Sequence, residues 1–346
     1  MIKTGLLGAT GYAGMELVRL LSAHPDVEIR HLASHSMEGA AFSSVYPSFP
    51  PSFGQVLEKV DLEKVAGDCD VVFTSLPHSA SMDTVKSLYG MGARVIDLSG
   101  DYRYDDAAVY EKWYGAAHKY PELLKESVYG LTELHRARIK TARIVGNPGC
   151  YTTCAILALA PLMGKPFIDP HSIIVDAKSG TTGAGRTPSE ALHFSEVDEN
   201  VKAYNVGVHR HTSEIEQELS LLQGHEVVLS FTPHLLPSKR GILSTIYCSL
   251  EHAVTHEEVE TVYKEFFADE PFVVLHPKGS LPQVKYVNGS NCIHIGFVVD
   301  PRTMRLVIVS ALDNLIKGAA GQAVQNMNLM FDIPESSGLS MTGWYL

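Results

Sequence analysis

Two spacings of apolar residues alternate along the first part of the chain. Short apolar runs typical of buried strands are followed by amphipathic, helix-like runs. The pattern predicts strands at 4–7, 27–33, 70–76, 94–98 and 143–145, and helices at 14–23 and 79–90. Alternating strands and helices indicate an α/β fold. Right-handed crossovers give its mostly parallel sheet the doubly wound, Rossmann-type form.

Beyond a helix-like run at 154–162, the pattern changes to longer strand-like runs separated by polar loops. These runs lie at 172–176, 226–231, 243–250, 271–275, 292–299 and 305–312. They predict a second, α+β domain built on an antiparallel or mixed sheet. The tail at 314–330 is helix-like and rich in small residues, and we expect it to pack onto the first domain.

Composition narrows the possible partners. Hydrophobic residues make up 45% of the chain and charged residues 19%, which is typical of a globular protein. The net charge of −11 comes without a basic cluster, so we expect neither nucleic acid nor an anionic membrane surface as a partner. We find no signal-peptide pattern and no apolar run approaching the ~18 residues of a membrane span, and we therefore expect a cytoplasmic protein.

Five cysteines occur, at positions 69, 150, 154, 248 and 292. Their spacing matches no zinc motif, and an odd number fits reduced thiols better than a disulfide framework. We therefore expect no bound metal.

Cys150 is the cysteine with the most suggestive setting. It lies in the segment NPGCYTT (147–153), where a strand-like run turns into an apolar helix-like run. Unpaired backbone N–H groups and the positive end of the helix dipole favour the thiolate at such a position. Taken alone, a lone cysteine is more often a packed core residue, but two further motifs favour a catalytic nucleophile here.

The first of these motifs is the glycine-rich segment GATGYAG (8–14), which follows the first strand and opens the first helix. Its N–H groups can face a pyrophosphate, although its spacing departs from G-x-G-x-x-G and a tight structural turn is the alternative. The predicted cofactor contacts in this loop are Gly8, Thr10, Gly11, Tyr12, Ala13 and Gly14.

The end of the second strand favours NADP(H) over NAD(H). An acidic residue there would repel the 2′-phosphate of NADP, whereas this chain has Ser34 and Ser36 on either side of a histidine. We therefore predict both serines as cofactor contacts. Glu38 nearby is an acidic residue and would favour NAD(H) instead. Both serines also fit an ordinary polar loop.

The second motif is His209-Arg210-His211, directly before an amphipathic helix. Two histidines near a thiol suggest acid/base catalysis, with one of them serving the thiol, and we predict both as catalytic together with Cys150. Glu214 or Glu216 can orient the imidazole, although either also fits a solvated helix position. Ser213 and Glu216 have the spacing of a capping box.

A second glycine-rich loop, SGTTGAGR (179–186), ends in Arg186 and offers backbone donors and a guanidinium group to an anion. Judged singly, the segments around Arg103 and Arg240 also fit structural roles. The predicted substrate contacts are Arg103, Asn147, Arg186 and Arg240, and the further predicted cofactor contacts are Ser179, Gly180 and Asn314.

These motifs, with LLPSKRGIL and the terminal DNLIKGAAGQAVQNMN, occur in an order that closely resembles the N-acetyl-gamma-glutamyl-phosphate reductases of arginine biosynthesis over essentially the whole chain. The resemblance implies a Rossmann-type NADP domain, a glyceraldehyde-phosphate-dehydrogenase-like second domain and a C-terminal helix that returns to the first. It also implies that Cys150 is the nucleophile and His209 the catalytic histidine, with His211 as the reserve assignment. The implied substrates are an acyl phosphate and inorganic phosphate.

Residue pattern and resemblance together give a predicted division of the chain. We expect a dinucleotide-binding domain at 1–149, completed by the C-terminal helix at 314–346, and a catalytic, substrate and oligomerisation domain at 150–313. The second sheet suggests self-association as a homodimer or homotetramer. Length agrees with two domains, because single cores usually stop growing near ~250–300 residues.

Two other functions stay open on the sequence. Aspartate-semialdehyde dehydrogenase shares the chemistry and the architecture, and substrate length and the acetyl group distinguish the two. A non-catalytic NADPH-sensing regulator would keep the fold without the reaction, and the combination of Cys150 and His209 disfavours it.

Overall fold

The computed structural model describes residues 1–345. The strands are β1 Ile2–Leu7, β2 Val27–Ala33, β3 Val71–Thr74, β4 Arg94–Asp97, β5 Ser127–Tyr129, β6 Ile144–Gly146, β7 Ile168–Ser179, β8 Lys202–Ala203, β9 Ser230–Leu235, β10 Ile242–Leu250, β11 Val273–Leu275, β12 Ile293–Asp300 and β13 Arg305–Leu312. The α-helices are α1 Tyr12–Ser22, α2 Phe42–Val45, α3 Leu62–Asp68, α4 Ala80–Gly90, α5 Ala107–Tyr114, α6 Pro121–Leu124, α7 Thr132–Thr141, α8 Cys150–Leu159, α9 Phe194–Val197, α10 His211–Gln223, α11 His256–Phe266, α12 Val284–Val287 and α13 Gly321–Met330.

The chain forms two compact units. The first contains Met1–Pro148 and Ala319–Ser340, and the second contains Gly149–Gly318 together with residues 341–345. This partition differs from the predicted one at Gly149 and in the tail, because Gly149 and residues 314–318 and 341–345 group with the second unit. Within residues 1–345, none of the helices combines the length and the apolar character that a membrane span requires.

The first unit is built on a six-stranded sheet in the order β2-β1-β3-β4-β6-β5, with every neighbouring pair parallel. The central strands β3 and β4 are almost completely buried, as expected for a sheet covered on both faces. The predicted Rossmann-type fold class is therefore confirmed. The chain order reverses beside β1, and ligands of such sheets bind outside the strand ends at this switch point.

The predicted strands of this unit are present within one to two residues of their expected ends, but β5 and five short helices were not predicted. β5 has three residues, which is too short to show a hydrophobic period. The helices α2 and α6 have only four residues each, so they too are too short to show a hydrophobic period.

The second unit is built on a seven-stranded mixed sheet in the order β11-β12-β13-β10-β7-β9-β8. β10 pairs antiparallel with β7 and β13, whereas β7 and β9 are parallel. The predicted mixed sheet is therefore confirmed. Helix α8 packs against β10 and β13 on one face, and α10 packs on α8.

The other face of this sheet carries a row of apolar side chains. Ile174 pairs with Tyr247, Tyr247 with Val307, and Val307 with Val298, so the four lie side by side across β7, β10, β13 and β12. Ile174 is 40% exposed and Val298 is 44% exposed. We call these four residues the apolar row.

Two expected elements are different in the structure. The strand predicted at 226–231 begins at Ser230, because the backbone N–H groups of Val227 and Leu229 donate to the side chains of Ser220 and Glu216 instead of a strand. The helix predicted at 314–330 is interrupted by a π-helical turn, Ile316–Ala320, before α13 begins. Helix α13 is buried throughout and packs on α1 and α7 within the first unit.

Candidate active site

Cys150 is the first residue of α8. Gly149 before it has an extended backbone (φ −71°, ψ 154°), and no side chain caps the helix start. All the following residues of α8 are buried, while Cys150 is partly exposed. The thiol thus lies at the end of a buried helix where backbone N–H groups have no partner inside the helix, as the sequence predicted.

Two glycines allow close contacts around this helix start. A Cβ atom on Gly149 would collide with Nε2 of His211, and a Cβ atom on Gly318 would lie 2.7 Å from Cβ of Cys150. The imidazole of His211 therefore packs directly on the residue before the thiol. The π-helical turn packs directly on the thiol residue itself.

Glu214 links His211 to the start of α8. One carboxylate oxygen accepts a hydrogen bond from the backbone N–H of Gly149 at 3.3 Å, and the other lies 3.9 Å from Nε2 of His211. Glu214 is fully buried, so its charge is compensated by these neighbours. Of the two acids considered from the sequence, Glu214 is the one beside the imidazole, since Glu216 accepts a hydrogen bond from Leu229 instead.

The predicted capping box at Ser213 and Glu216 is wrong. The helix α10 begins at His211, and Ser213 Oγ donates to the carbonyl oxygen of Arg210 at 2.8 Å. The chain turns into helix three residues earlier than the capping-box spacing implied, so Ser213 lies inside the first turn.

His209 has a different environment from His211. Its Nδ1 accepts a hydrogen bond from the backbone N–H of His211 at 3.1 Å. The ring packs edge-on against Tyr151, Tyr204 and Phe231. Burial, helped by the charge of Arg210, lowers the pKa of His209 to about 4, so the ring is neutral near pH 7.

Two tyrosines form a chain of hydrogen bonds beside the thiol. The hydroxyl of Tyr204 donates to that of Tyr151 at 3.2 Å, and Tyr151 donates to the carbonyl oxygen of His234 at 3.1 Å. Burial raises the pKa of Tyr204 to about 12, with a further increase from the charge of an ionised Cys150. Both hydroxyls therefore remain protonated. Sequence reasoning missed this pair, because isolated tyrosines carry no motif.

In the second glycine-rich loop, the backbone donors that we expected to be available to an anion are used within the protein. The N–H groups of Gly180, Thr181 and Thr182 donate to carbonyl oxygens of residues 238–241, at 2.8–3.2 Å. These donors are used within the unit and do not face an anion. Arg186 at the end of the loop is exposed.

Asn314 and Asp313 connect this loop to its neighbours. The Asn314 side chain accepts a hydrogen bond from Gly241 N–H at 2.8 Å and donates one to Thr182 Oγ1 at 3.0 Å. Asp313 contacts Arg240 Nη1 at 3.2 Å. Asn314 is almost completely buried, so the described contacts give its amide the role of bridging two loops. Its predicted cofactor contact, like those of Ser179 and Gly180, stays a prediction.

In the first unit, the glycine loop has the geometry that a dinucleotide phosphate needs. Gly8 has a φ of +86°, and a Cβ atom there would collide with the carbonyl oxygen of Ser75. Gly11 caps α1, and a Cβ atom there would meet only one atom, at 3.7 Å. The first turn of α1 contains no acidic residue. The loop therefore fits an anion at the helix start.

Contacts within this unit hold the loop and the end of β2 together. Thr10 Oγ1 lies 2.9 Å from Ser34 Oγ, and the hydroxyl of Tyr46 donates to the carbonyl oxygen of Thr10 at 2.9 Å. Ser34 is buried, whereas Ser36 and Glu38 are exposed. Tyr12 and Ala13 are partly exposed at the start of α1.

Arg103 and Asn147, both predicted substrate contacts, contact each other within the first unit. Arg103 Nε donates to the carbonyl oxygen of Asn147 at 2.7 Å and Nη2 to that of Leu98 at 2.9 Å. The Asn147 amide donates to Ala319 O at 3.0 Å and accepts from Asn326 at 3.1 Å. Both are buried, so the described contacts favour a role in fixing the backbone, and substrate contact stays a prediction.

Comparison with known proteins identifies the family. Residues 3–142 match the family model of the semialdehyde dehydrogenase NAD binding domain, and residues 150–314 match that of the semialdehyde dehydrogenase dimerisation domain. A relative from Acetivibrio thermocellus named N-acetyl-gamma-glutamyl-phosphate reductase is 52% identical over 346 residues, covering 100% of both chains. One of the same name from Symbiobacterium thermophilum is 51% identical and covers 99% of this chain and 98% of its own.

Solved structures support the fold. Aspartate semialdehyde dehydrogenase II from Vibrio cholerae, complexed with ASA, has a TM-score of 0.72 at 18% identity, covering 96% of this chain and 98% of that one. The aspartate semialdehyde dehydrogenase with NADP from Candida albicans has a TM-score of 0.70 at 19% identity, covering 96% of this chain and 98% of that one. At this identity the likeness concerns the fold alone. Because the relatives from Acetivibrio thermocellus and Symbiobacterium thermophilum are about half identical to this chain over their full length, the chain belongs to the N-acetyl-gamma-glutamyl-phosphate reductase family of semialdehyde dehydrogenases.

Proposed function

We propose that this protein reduces N-acetyl-glutamyl 5-phosphate to N-acetyl-glutamate 5-semialdehyde with NADPH, releasing inorganic phosphate, as a step of arginine biosynthesis. The observation that carries this proposal is Cys150 at the first residue of α8, with His211 and Glu214 packed on Gly149. The names of relatives about half identical over the full length support the choice of substrate.

In the first half of the reaction, the Cys150 thiolate attacks the carbonyl carbon of the acyl phosphate. A C–S bond forms, the bond from carbon to the phosphate oxygen breaks, and phosphate leaves and takes up one proton from solvent. The backbone N–H groups at the start of α8 stabilise the thiolate and then the oxyanion of the tetrahedral intermediate. One such donor contributes roughly 2.7–4 kcal/mol in acyl-transfer enzymes.

In the second half, the thioester on Cys150 is reduced. Bound NADPH supplies the hydride that the carbonyl carbon accepts. An imidazolium beside the thiol gives its proton to the resulting oxyanion and takes it back as the C–S bond breaks. The aldehyde leaves, and the thiolate is regenerated without net proton uptake in this half.

We propose His211 as this proton carrier and His209 as the residue that holds it in place. Glu214 provides a counter-charge 3.9 Å from Nε2 of His211. His209 lacks one, and its pKa of about 4 keeps it neutral while its Nδ1 binds the His211 backbone. This assignment reverses the order of preference given by the resemblance.

We propose NADP(H) as the cofactor and the glycine loop as its phosphate site. Gly8, Gly11 and Gly14 would keep the backbone near the pyrophosphate, and the residues directly after β2 are Ser34, His35 and Ser36, with no carboxylate among them. When bound, a 2′-phosphate would find hydroxyl and imidazole groups there.

We further propose a homodimer or homotetramer in the cytoplasm, where a reducing environment keeps the Cys150 thiol free. A match to a dimerisation domain over 150–314 supports self-association. In this division of labour, residues 1–149 with the C-terminal helix bind the dinucleotide, and residues 150–313 carry out the chemistry and the association.

The test is the reverse reaction with two semialdehydes. We expect phosphate-dependent reduction of NADP⁺ with N-acetyl-glutamate semialdehyde, and much slower reduction with aspartate semialdehyde. The opposite preference would make the chain an aspartate-semialdehyde dehydrogenase. Omitting inorganic phosphate is the control, since a phosphorylating enzyme cannot complete the cycle without it.

A further inference from the structure

Arg240, a predicted substrate contact, is held from two sides within the second unit. Its Nη1 lies 3.2 Å from Oδ2 of Asp313, a fully buried carboxylate. Its Cζ lies 5.4 Å from the centroid of the Trp344 ring. A carboxylate contacts one nitrogen of the guanidinium and an aromatic ring lies near its central carbon, and both contacts restrict the group.

Trp344 is itself fixed in place. Its backbone N–H donates to the carbonyl oxygen of Asn288 at 2.8 Å. Its ring lies against Gly289, where a Cβ atom would come within 2.5 Å of the indole. The N–H of Gly289 donates to Oδ2 of Asp313 at 2.8 Å, the same oxygen that contacts Arg240. Asp313, Gly289 and Trp344 thus form one connected support, which we call the Arg240 brace.

Trp344 lies at the surface of the unit. The residue is 54% exposed, whereas a tryptophan that serves core packing buries most of its ring. Arg240 has only 15% of its side chain exposed. The ring lies over the guanidinium of a side chain that is largely shielded from water, and such shielding strengthens the attraction of a guanidinium for an anion.

We propose that Trp344 is a positioning residue that orients Arg240 toward an anionic group of the substrate. The proposal rests on the proposed function and on the sequence prediction that Arg240 contacts the substrate. A guanidinium binds phosphate and carboxylate in the same bidentate way, so the anion is either the phosphate or the carboxylate of the acyl part. The assay separates the two sources because they enter the reverse reaction as different molecules.

The first experiment measures KM in phosphate-dependent NADP⁺ reduction. Trp344→Ala raises KM for one of the two anions about two- to fivefold, with kcat near wild type, because an exposed cation–π contact is lost. Trp344→Phe restores KM, since a ring remains. Tyr345→Ala is the matched control, because Tyr345 is 55% exposed and stacks on Tyr286 instead of Arg240.

A higher KM for inorganic phosphate identifies the phosphate subsite, and a higher KM for the semialdehyde identifies the carboxylate subsite. The Arg240→Met variant distinguishes substrate contact by Arg240 from positioning of Arg240 by Trp344. If it raises KM at least tenfold while Trp344→Ala leaves both KM values unchanged, Trp344 has no positioning role and the proposed function stands. If Arg240→Met changes neither KM, Arg240 does not contact substrate and the inference about Trp344 is wrong with it.

The second experiment uses fluorescence, which a merely structural role would not affect. The chain has two tryptophans, so Trp113→Phe leaves Trp344 as the single reporter. Titration with inorganic phosphate, and separately with the semialdehyde, should change its emission for the anion whose KM is affected. The change should disappear in the Arg240→Met background. If neither anion changes the emission of Trp344, the proposal is wrong.

Discussion

At the scale of single residues, two histidines two positions apart have different surroundings. His209 is buried among aromatic rings and its pKa is lowered to about 4, while His211 lies against Gly149 with the Glu214 carboxylate beside it. A general acid must hold a proton near pH 7, and the lowered pKa of His209 prevents this. In the proposed mechanism, His211 therefore transfers the proton and His209 positions His211.

Substituting each histidine tests this division. His211→Asn should lower kcat by ~10²–10⁴-fold, the usual range for loss of a general acid or base. His209→Asn should lower kcat less and leave the alkaline and acid limbs of the kcat/KM profile in place, since the proton carrier remains. NADPH affinity, measured by fluorescence titration, should be unchanged in both. A larger loss in His209→Asn, with its alkaline limb gone, would restore the assignment that the resemblance favours.

The grouping of Cys150, His209 and His211 could be predicted from the sequence, because these residues lie in local motifs, whereas their catalytic roles stay predictions. The tyrosine pair and the contact of Gly318 with Cys150 could not, since they depend on segments more than fifty residues apart that only the fold brings together. Asn147 has polar neighbours on the backbone of its own unit, and sequence cannot distinguish such a residue from one that faces a ligand.

At the scale of elements, the π-helical turn Ile316–Ala320 is the feature that sequence periodicity did not predict. The N–H of Gly318 donates to the carbonyl oxygen of Asp313 at 2.9 Å, five residues back, and this wider turn carries Gly318 onto Cys150. Such turns occur often at functional sites. Periodic patterns of apolar residues average over several turns, so a single wide turn leaves no signal in them.

Adding one methyl group tests this contact. Gly318→Ala would place a Cβ atom 2.7 Å from Cβ of Cys150, and either α8 or the turn must shift. We expect at least a tenfold loss of kcat and slower alkylation of Cys150 by iodoacetamide. Gly90→Ala is the control, because Gly90 is the last residue of α4 and a Cβ atom there meets nothing within 4 Å. Full activity in Gly318→Ala would contradict the packing described.

A pair of histidines on β12 and the segment after β11 gives a pH prediction. His276 Nε2 lies 3.0 Å from His294 Nδ1, and burial together with His276 lowers the pKa of His294 from 6.5 to about 4. The unfolded chain therefore binds more protons than the folded one between these values, and the free energy of unfolding decreases as pH falls from 6.5 to 4. His294→Gln should reduce that slope in urea unfolding at several pH values. An unchanged slope would show that His294 does not contribute to the pH dependence of the free energy of unfolding.

At the scale of the whole molecule, the sheet of the second unit leaves the apolar row on its open face. Four apolar residues side by side across four strands resemble a protein interface more than scattered surface residues. The fold class and the mixed sheet could be predicted from the order of strand-like and helix-like runs. The strand order, and hence the apolar row, could not, because register and pairing are set by contacts between distant segments.

We expect a second copy of the chain to cover this row. Ile174→Glu should shift the sedimentation equilibrium toward the monomer, because a carboxylate buried at an interface without a partner is costly. Val56→Glu is the control, since Val56 is 49% exposed in the first unit and should leave the equilibrium unchanged. An Ile174→Glu variant that associates like the wild type would exclude this face.

The central claim is that the acyl group is bound to Cys150 during the reaction, and mass spectrometry tests it most directly. Enzyme mixed with N-acetyl-glutamyl 5-phosphate without NADPH, then acid-quenched and digested, should carry one N-acetyl-glutamyl group on the peptide that contains Cys150. Cys150→Ser should remain unmodified and inactive while still binding NADPH. An acyl group on another cysteine, or turnover by Cys150→Ser, would contradict the account.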